Sequence, residues 1–311
     1  MIVTRMPGDS HRGELPPLTR AQSELRERLR DHVATLAGMI GERNMHRYGP
    51  LLEAARYIQR SFEGMGLEPC EQGFTVHGRP VRTLEVRNEG RSTPAERIVV
   101  GAHYDSVLGS PGANDNATGV AGMLEIARAL GAASLARSVA FVAFVNEEPP
   151  WSFTSDMGSQ RYAERCAAEG ERVGAMLSLE TIGFYSEDPG SQHYPFPFGL
   201  FYPTVGNFIG FVGNLGSRDL VRRCVASFRT HAAFPSEGVA APGWITGIGW
   251  SDHQSFWRVG YPAIMVTDTA LFRYAQYHSA ADTPGIIDYD RLARVVDGLI
   301  EVVRDLANAP S

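Results

Sequence analysis

Residues 139–145, Val-Ala-Phe-Val-Ala-Phe-Val, constrain this chain more than any other feature. Every position is apolar, without the alternation of a strand that has one wet face, so the run suits a strand covered on both sides. It is far shorter than the roughly 20 residues a bilayer span requires. Further short apolar stretches lie at 98–100, 175–179, 208–212 and 261–266. Between and after them come segments of helical spacing at 117–130, 158–168, 219–228 and 292–306. This alternation predicts an α/β fold, a single three-layer α/β/α domain around a central mixed, largely parallel sheet.

Two helical patterns precede the alternation. Leu25, Leu29, Val33 and Leu36 form one; Leu51, Leu52, Ala55, Ile58 and Phe62 form the other, which Gly64 and Gly66 stop. Strand-like stretches follow at 74–76 and 81–86. Residues 1–18 are polar and contain Pro and Gly, so they are expected to be a flexible arm before a single folded domain at 19–311. Residues 187–202 are rich in Pro, Gly and aromatics, and such a long irregular segment is expected to shape a cleft. A second irregular stretch is read at 234–250.

Composition removes several function classes. With 311 residues, 43% of them hydrophobic, the chain can bury a sizeable core. Its net charge of −6 gives no electrostatic basis for binding nucleic acid. No apolar stretch suits a membrane span, and the N-terminal MIVTRMPGDSHRGELPP lacks an apolar signal region, so a cytoplasmic location is expected. Cys70, Cys166 and Cys224 are an odd, widely spaced set without CxxC spacing, which argues against a thiolate zinc site or a disulfide framework. One bridge among the three is left open.

Ligands of open α/β sheets bind beyond the carboxyl ends of the strands. Residues 98–100 run into Gly101-Ala102-His103-Tyr104-Asp105. Residues 139–145 run into Asn146-Glu147-Glu148, and 175–179 into Glu180. Three strands therefore end in metal-ligand residue types. Alternation places His103 and Asp105 on one side, where Asp105 can hold the imidazole N–H that faces away from a metal. Glu147 and Glu148 are adjacent like charges at the end of an apolar strand, a costly arrangement that a divalent cation relieves. One can ligate the cation and the other can act as general base. Asp115, in Gly112-Ala113-Asn114-Asp115-Asn116, reads either as a helix cap or as a carboxylate at the cleft mouth, and the two roles are compatible.

The segments HYDS, GANDNATG, NEE, SLETIG, SDHQSFW and YHSAADT occur in that order. In these motifs the chain resembles the zinc aminopeptidases of the bacterial leucyl aminopeptidase type, co-catalytic dizinc exopeptidases related to glutaminyl cyclases, across roughly residues 33–305. The resemblance implies a zinc-exopeptidase-like fold and two Zn2+ ions, with Co2+ or Mn2+ as second choices. It implies that His103 and Glu180 bind one ion, that Glu148 and His278 bind the other, and that Asp115 bridges both. Glu147 would be the general base for a metal-bridging hydroxide, Asp105 would orient His103, and Tyr277 would steady the substrate carbonyl. The Asp115-Asn116 peptide would be cis. Asp252 and His253 would lie near the site without being ligands. Glu180 departs from the aspartate of the best-known members by one methylene. The implied substrate is a peptide or dipeptide with a free N-terminus; side-chain preference and oligomeric state are not implied. Alternatives are a single-zinc glutaminyl cyclase-like acyltransferase, which would lack a ligating first histidine, and a non-catalytic descendant of the family.

Overall fold

The apolar run becomes β4 (Arg137–Phe144), a strand buried at every residue. Its neighbours explain why. On one side lies β3 (Thr93–His103), parallel to it; on the other lies β2 (Arg79–Asn88), antiparallel. The remaining strands are β1 (Cys70–Val76), β5 (Arg172–Glu180), β6 (Ile209–Gly213), β7 (Ser236–Ala240) and β8 (Ala263–Thr267). The computed structural model describes residues 2–309. Among these, eight strands form one mixed sheet in the order β1-β2-β4-β3-β5-β8-β6-β7. The central four, β4-β3-β5-β8, are mutually parallel.

Helices cover both faces, as β4's composition demands. One layer holds α1 (Arg20–Val33), α2 (Tyr48–Gly64), α3 (Gly119–Leu130), α5 (Arg218–His231) and α7 (Tyr289–Asn308). Their apolar stripes join the inner faces of the strands in one large core that includes Leu29, Ile58, Phe62, Phe141, Phe211 and Val296. The other layer holds α4 (Gly158–Ala168) and the short α6 (His253–Arg258). These pack Tyr162, Cys166 and Phe256 against Val99, Val142 and Phe144. Thr19 and Gln22 form a capping box at the start of α1, and Asp288 accepts the Arg291 backbone N–H at the start of α7.

Three features go beyond the sequence-based expectation. The stretch from 234 onward is not wholly irregular: Ser236–Ala240 is the edge strand β7. Its short length and the Gly and Pro around it weaken the alternation signal. The first residues of the N-terminal segment lie along that edge. Val3 bridges Ala240 through two backbone hydrogen bonds, Arg222 donates to Arg5 O, and Arg229 donates to Pro7 O and Gly8 O. An edge strand with unpaired backbone groups favours such a cover. The three cysteines are free thiols, Cys70 exposed and the other two buried. No helix among the described residues is long and apolar enough to cross a membrane.

Candidate metal centre

β4, β3 and β5 lie side by side and run in one direction, so their carboxyl ends share one edge of the sheet. His103 is the last residue of β3 and Glu180 the last of β5. The chain leaves β4 through Asn146, which turns it at φ +61° into Glu147 and Glu148. Asp105 ties these exits together. Its Oδ1 accepts the Glu147 N–H at 3.1 Å and its Oδ2 accepts the Glu148 N–H at 3.2 Å. The same Oδ1 faces His103 Nδ1 at 3.6 Å.

Asp115 comes from the loop ahead of α3. Gly112 opens that loop at φ +63°, where a Cβ would come within 2.4 Å of the Asp115 carbonyl oxygen, so only glycine fits. Asp282 accepts the backbone N–H groups of Asn114 (2.8 Å) and Asp115 (3.1 Å). Asn114 donates to Asp268, and the Asp115-Asn116 peptide is cis. The capping role belongs to the neighbour of Asp115. Asn116 Oδ1 accepts the Gly119 N–H at the head of α3 and the Thr181 N–H beyond β5, which leaves the Asp115 carboxylate free to face the cleft.

Buried carboxylates, the buried His103 ring and the partly exposed His278 ring converge there. Asp115 Oδ1 lies 3.3 Å from His103 Nε2, and Asp115 Oδ2 lies 3.0 Å from His278 Nε2. Glu180 Oε2 is 3.2 Å from His103 Nε2, and Glu148 Oε2 is 3.4 Å from His278 Nε2. Glu147 Oε2 stands 3.8 Å from His103 Nε2. Ser251 donates to Glu180 Oε2 at 2.8 Å. The Tyr277 ring stacks on His278, with centroids 3.8 Å apart and planes at 20°.

Without a cation this arrangement is electrostatically strained. Burial pushes the Glu148 carboxyl well above its usual range, and the charges of Asp115 and Glu147 push it further. Glu147 is raised well above its range too, by burial and then by Glu180, Asp252 and Asp115 against the pull of His103. Burial disfavours the charged His103 ring, but Glu180 and Glu147 overcome it and raise its pKa well above that of free imidazole. For Asp115 burial acts upward, yet the adjacent imidazoles of His103 and His278 hold it far below the carboxylate range.

The donor set fits a metal. His103, Asp115 and Glu148 each offer a ligand atom, all within 4.8 Å of one another. His103 Nδ1 and Nε2, Asp115 Oδ1 and Glu148 Oε1 are buried and lack a hydrogen-bond partner, although buried polar groups are normally satisfied. Imidazole and carboxylate donors without thiolate suit catalytic zinc. Asp252 and His253 are buried nearby and stand outside the His103–Asp115–Glu148 group. Burial pushes the Asp252 carboxyl up to about 7. His253 hydrogen-bonds the Ile248 carbonyl at 2.8 Å, and burial lowers its pKa to about 4.

Ser251, Asp268 and Asp282 support the site and escaped the motif reading. Ser251 and Asp282 sit inside SDHQSFW and YHSAADT, so a closer reading of the polar residues flanking the named ones could have flagged them. Beside the centre opens a largely apolar cleft, lined in part by Glu180 and Tyr277. From the aromatic loop, Tyr194, Phe198 and Tyr202 line it, whereas Phe196 (89% exposed) and Phe201 (61%) point to solvent. Trp250 lines it too; Trp244 is exposed and Trp257 packs beneath.

The model of Peptidase family M28 matches residues 84–303. The chain is 36% identical over 286 residues to the uncharacterized protein YfbL of Escherichia coli (strain K12), covering 89% of this chain and 87% of that one. It spans about half the length of probable leucine aminopeptidases among its curated relatives, such as one from Arthroderma otae, 27% identical over 227 residues. In fold it is similar to BSAP, a zinc aminopeptidase from Bacillus subtilis (TM-score 0.72, 14% identity, 92% of this chain and 96% of that one). It is similar in fold also to a glutaminyl cyclase from Fimbriiglobus ruber (TM-score 0.65, 19% identity, 94% and 97%). The motifs, the carboxyl-edge cluster and these matches agree: the chain belongs to peptidase family M28.

Proposed function

We propose that this chain is a dizinc exopeptidase that hydrolyses the N-terminal peptide bond of peptides with a free N-terminus. His103 and Glu180 would hold one ion and Glu148 and His278 the other, with Asp115 shared. Asp115 is the observation that carries the reading, because its two oxygens face imidazoles from two distant segments, at 3.3 and 3.0 Å. Zinc bound at these residues polarises a carbonyl and makes a coordinated water more acidic.

The chain's own residues supply the rest. Asp105 faces His103 Nδ1 and keeps the proton there, which leaves Nε2 to donate its lone pair. Glu147, held by its backbone to Asp105, takes a proton from the attacking water and returns it to the leaving amine. Tyr277 is fixed by its stack on His278 and donates its O–H to the oxygen of the carbonyl under attack.

Zinc quantification coupled to a screen of aminoacyl-nitroanilides, dipeptides and N-blocked peptides tests this. Two zinc ions per chain, hydrolysis only of substrates with a free N-terminus, and loss of activity with a chelator that zinc restores are the expected results. Ring closure of an N-terminal glutamine peptide without hydrolysis would establish the cyclase reading instead, to which the fold likeness to a glutaminyl cyclase lends support. A chain that retains no zinc is not an enzyme of this kind.

A further inference from the structure

The cleft beside the metal centre has a floor whose register can be read residue by residue. Glu180 of β5 pairs with Thr267 of β8, Thr267 pairs with Gly210 of β6, and Gly210 pairs with Glu237 of β7. Paired residues in adjacent strands direct their side chains to the same face of a sheet. All four line the cleft. The row therefore starts at Glu180, in the cluster that would hold the metal, and ends three strand spacings away at Glu237, about 14 Å from Cα to Cα. In its middle Gly210 has no side chain, so the floor stays low between the two glutamates.

The surroundings of this row are apolar: Val212 and Met265 continue the same sheet face two residues along β6 and β8, and Phe198 and Ile248 pack against them. Glu237 is the exception at the far end. Its side chain is 24% exposed, and the nearest cation is Arg229, Nη2 to Oε2 at 3.9 Å. Arg229 is committed elsewhere: it donates to Ser236 O and Oγ and to the carbonyls of Pro7 and Gly8. The phenols nearby are committed as well, Tyr202 to Gly238 O and Tyr194 to Pro203 O. Burial raises the Glu237 carboxyl, with Arg229 and Arg12 pulling the other way. A half-buried carboxylate without a hydrogen-bonded donor thus closes an otherwise apolar trough.

We propose that Glu237 selects substrates whose N-terminal residue has a long apolar stem and a cationic tip, arginine or lysine. This rests on the exopeptidase reading above. A substrate with its scissile carbonyl at the metal cluster begins at the Glu180 end of the row. Its side chain then crosses Thr267 and Gly210 along the apolar walls. Only the longest side chains approach Glu237, and a guanidinium or ammonium meets there a carboxylate in a desolvated setting, where charge-assisted hydrogen bonds are strong. A leucine or phenylalanine side chain fills the trough but brings the carboxylate no donor, so it gains no such charge-assisted bond.

The zinc-loaded full chain is assayed on Arg-, Lys-, Leu-, Phe- and Ala-nitroanilides. Arg and Lys substrates are expected to have the highest kcat/KM. Glu237→Gln lowers those two by about 10- to 100-fold and leaves Leu, Phe and Ala within about threefold. Glu237→Asp recovers part of the loss. Gly210→Val, which raises the floor, lowers kcat/KM for Arg, Lys, Leu and Phe but spares Ala. Binding supplies a readout apart from turnover: L-argininamide should raise the melting temperature of the wild type more than L-leucinamide, and Glu237→Gln should abolish the difference. An active panel in which Leu outranks Arg, or in which Glu237→Gln lowers Arg and Leu alike, overturns the proposal and leaves the exopeptidase reading intact. A zinc-loaded chain inert on the whole panel overturns both.

Discussion

Asp105 Oδ1 accepts the backbone N–H of Glu147 at 3.1 Å. The carboxylate that faces His103 from one side thus fixes the position of the proposed base from the other. One residue registers the ends of two adjacent strands, and the separation of His103 from Glu147 depends on it.

Asp105→Asn is expected to damage the site without unfolding the protein. The amide keeps one oxygen acceptor but presents an NH2 group where either His103 Nδ1–H or a backbone N–H requires an acceptor. Loss of such a supporting carboxylate typically costs 10- to 100-fold in metal affinity or activity, and about that loss is expected here. Zinc titration against a competing chelator, run beside steady-state kinetics, measures both.

Glu147→Gln should act differently. Its side chain is not among the proposed ligands, so zinc content should remain that of the wild type. A loss of about 100- to 10,000-fold in kcat is expected when a positioned acid–base group is removed. Near-full activity in Glu147→Gln would remove it from the mechanism.

Metal counting separates a paired from a single centre. Wild type is expected to bind two ions, His103→Ala to lose one and keep the one at Glu148 and His278, and Asp115→Ala to impair both. Elemental analysis after exhaustive dialysis against buffered zinc reads these stoichiometries directly. One ion in the wild type would show that Asp115 is not a bridge.

Arg43 supports the site from below. It is fully buried and donates to the carbonyl oxygens of Tyr104, Leu36, Gly41, Pro111 and Gly112. Burial lowers its pKa to about 10, so it stays charged at neutral pH. Lysine has three donors without the planar fork, so Arg43→Lys leaves at least two of these carbonyls unpaired. A loss of about 2–4 kcal/mol is expected, measured as a shift in denaturant midpoint. The Gly112–Asp115 loop should loosen with it and weaken zinc binding.

Glu125, on the face of α3 away from the cleft, predicts the acid limb of stability. Burial opposes its ionisation, but hydrogen bonds from His32, Arg28 and Arg128 prevail, and its pKa falls from 4.5 to about 2. A carboxyl depressed in the folded state adds stability above its unfolded pKa, and that stability is lost as pH falls through the folded one. The contribution is therefore full at pH 7 and disappears between about 4.5 and 2. Because Arg28 and Arg128 are partly exposed, about 1–3 kcal/mol is expected. Glu125→Gln should lower the unfolding free energy by that amount at pH 7 and by much less at pH 2.5.

His103, Glu147, Glu148 and Glu180 follow directly from apolar strand runs, and a parallel sheet collects strand ends at one edge. Asp115 and His278 lie in loops; Asp115 could be read as a carboxylate at the cleft mouth, and only the ordered motifs marked His278. Asp115 did not prove to be the helix cap, because the choice between it and Asn116 turns on a loop conformation that neighbouring residue types do not encode. Asp282 and Ser251 reach the site from segments more than 70 residues away from the groups they bind. No local pattern expresses such pairings.

Sequence by itself determined the strand–helix alternation, the burial of β4 on both faces and the placing of acidic and histidine residues at strand ends. These are local consequences of hydrophobic period and chain direction. Tertiary structure decided what those residues face. The strand order put β5, β8, β6 and β7 in one row, and with it Glu180 and Glu237 at opposite ends of a trough, although 57 residues separate them in the chain. Register between strands distant in sequence arises from packing of the whole sheet, and so the shape of the cleft became visible only in the folded chain.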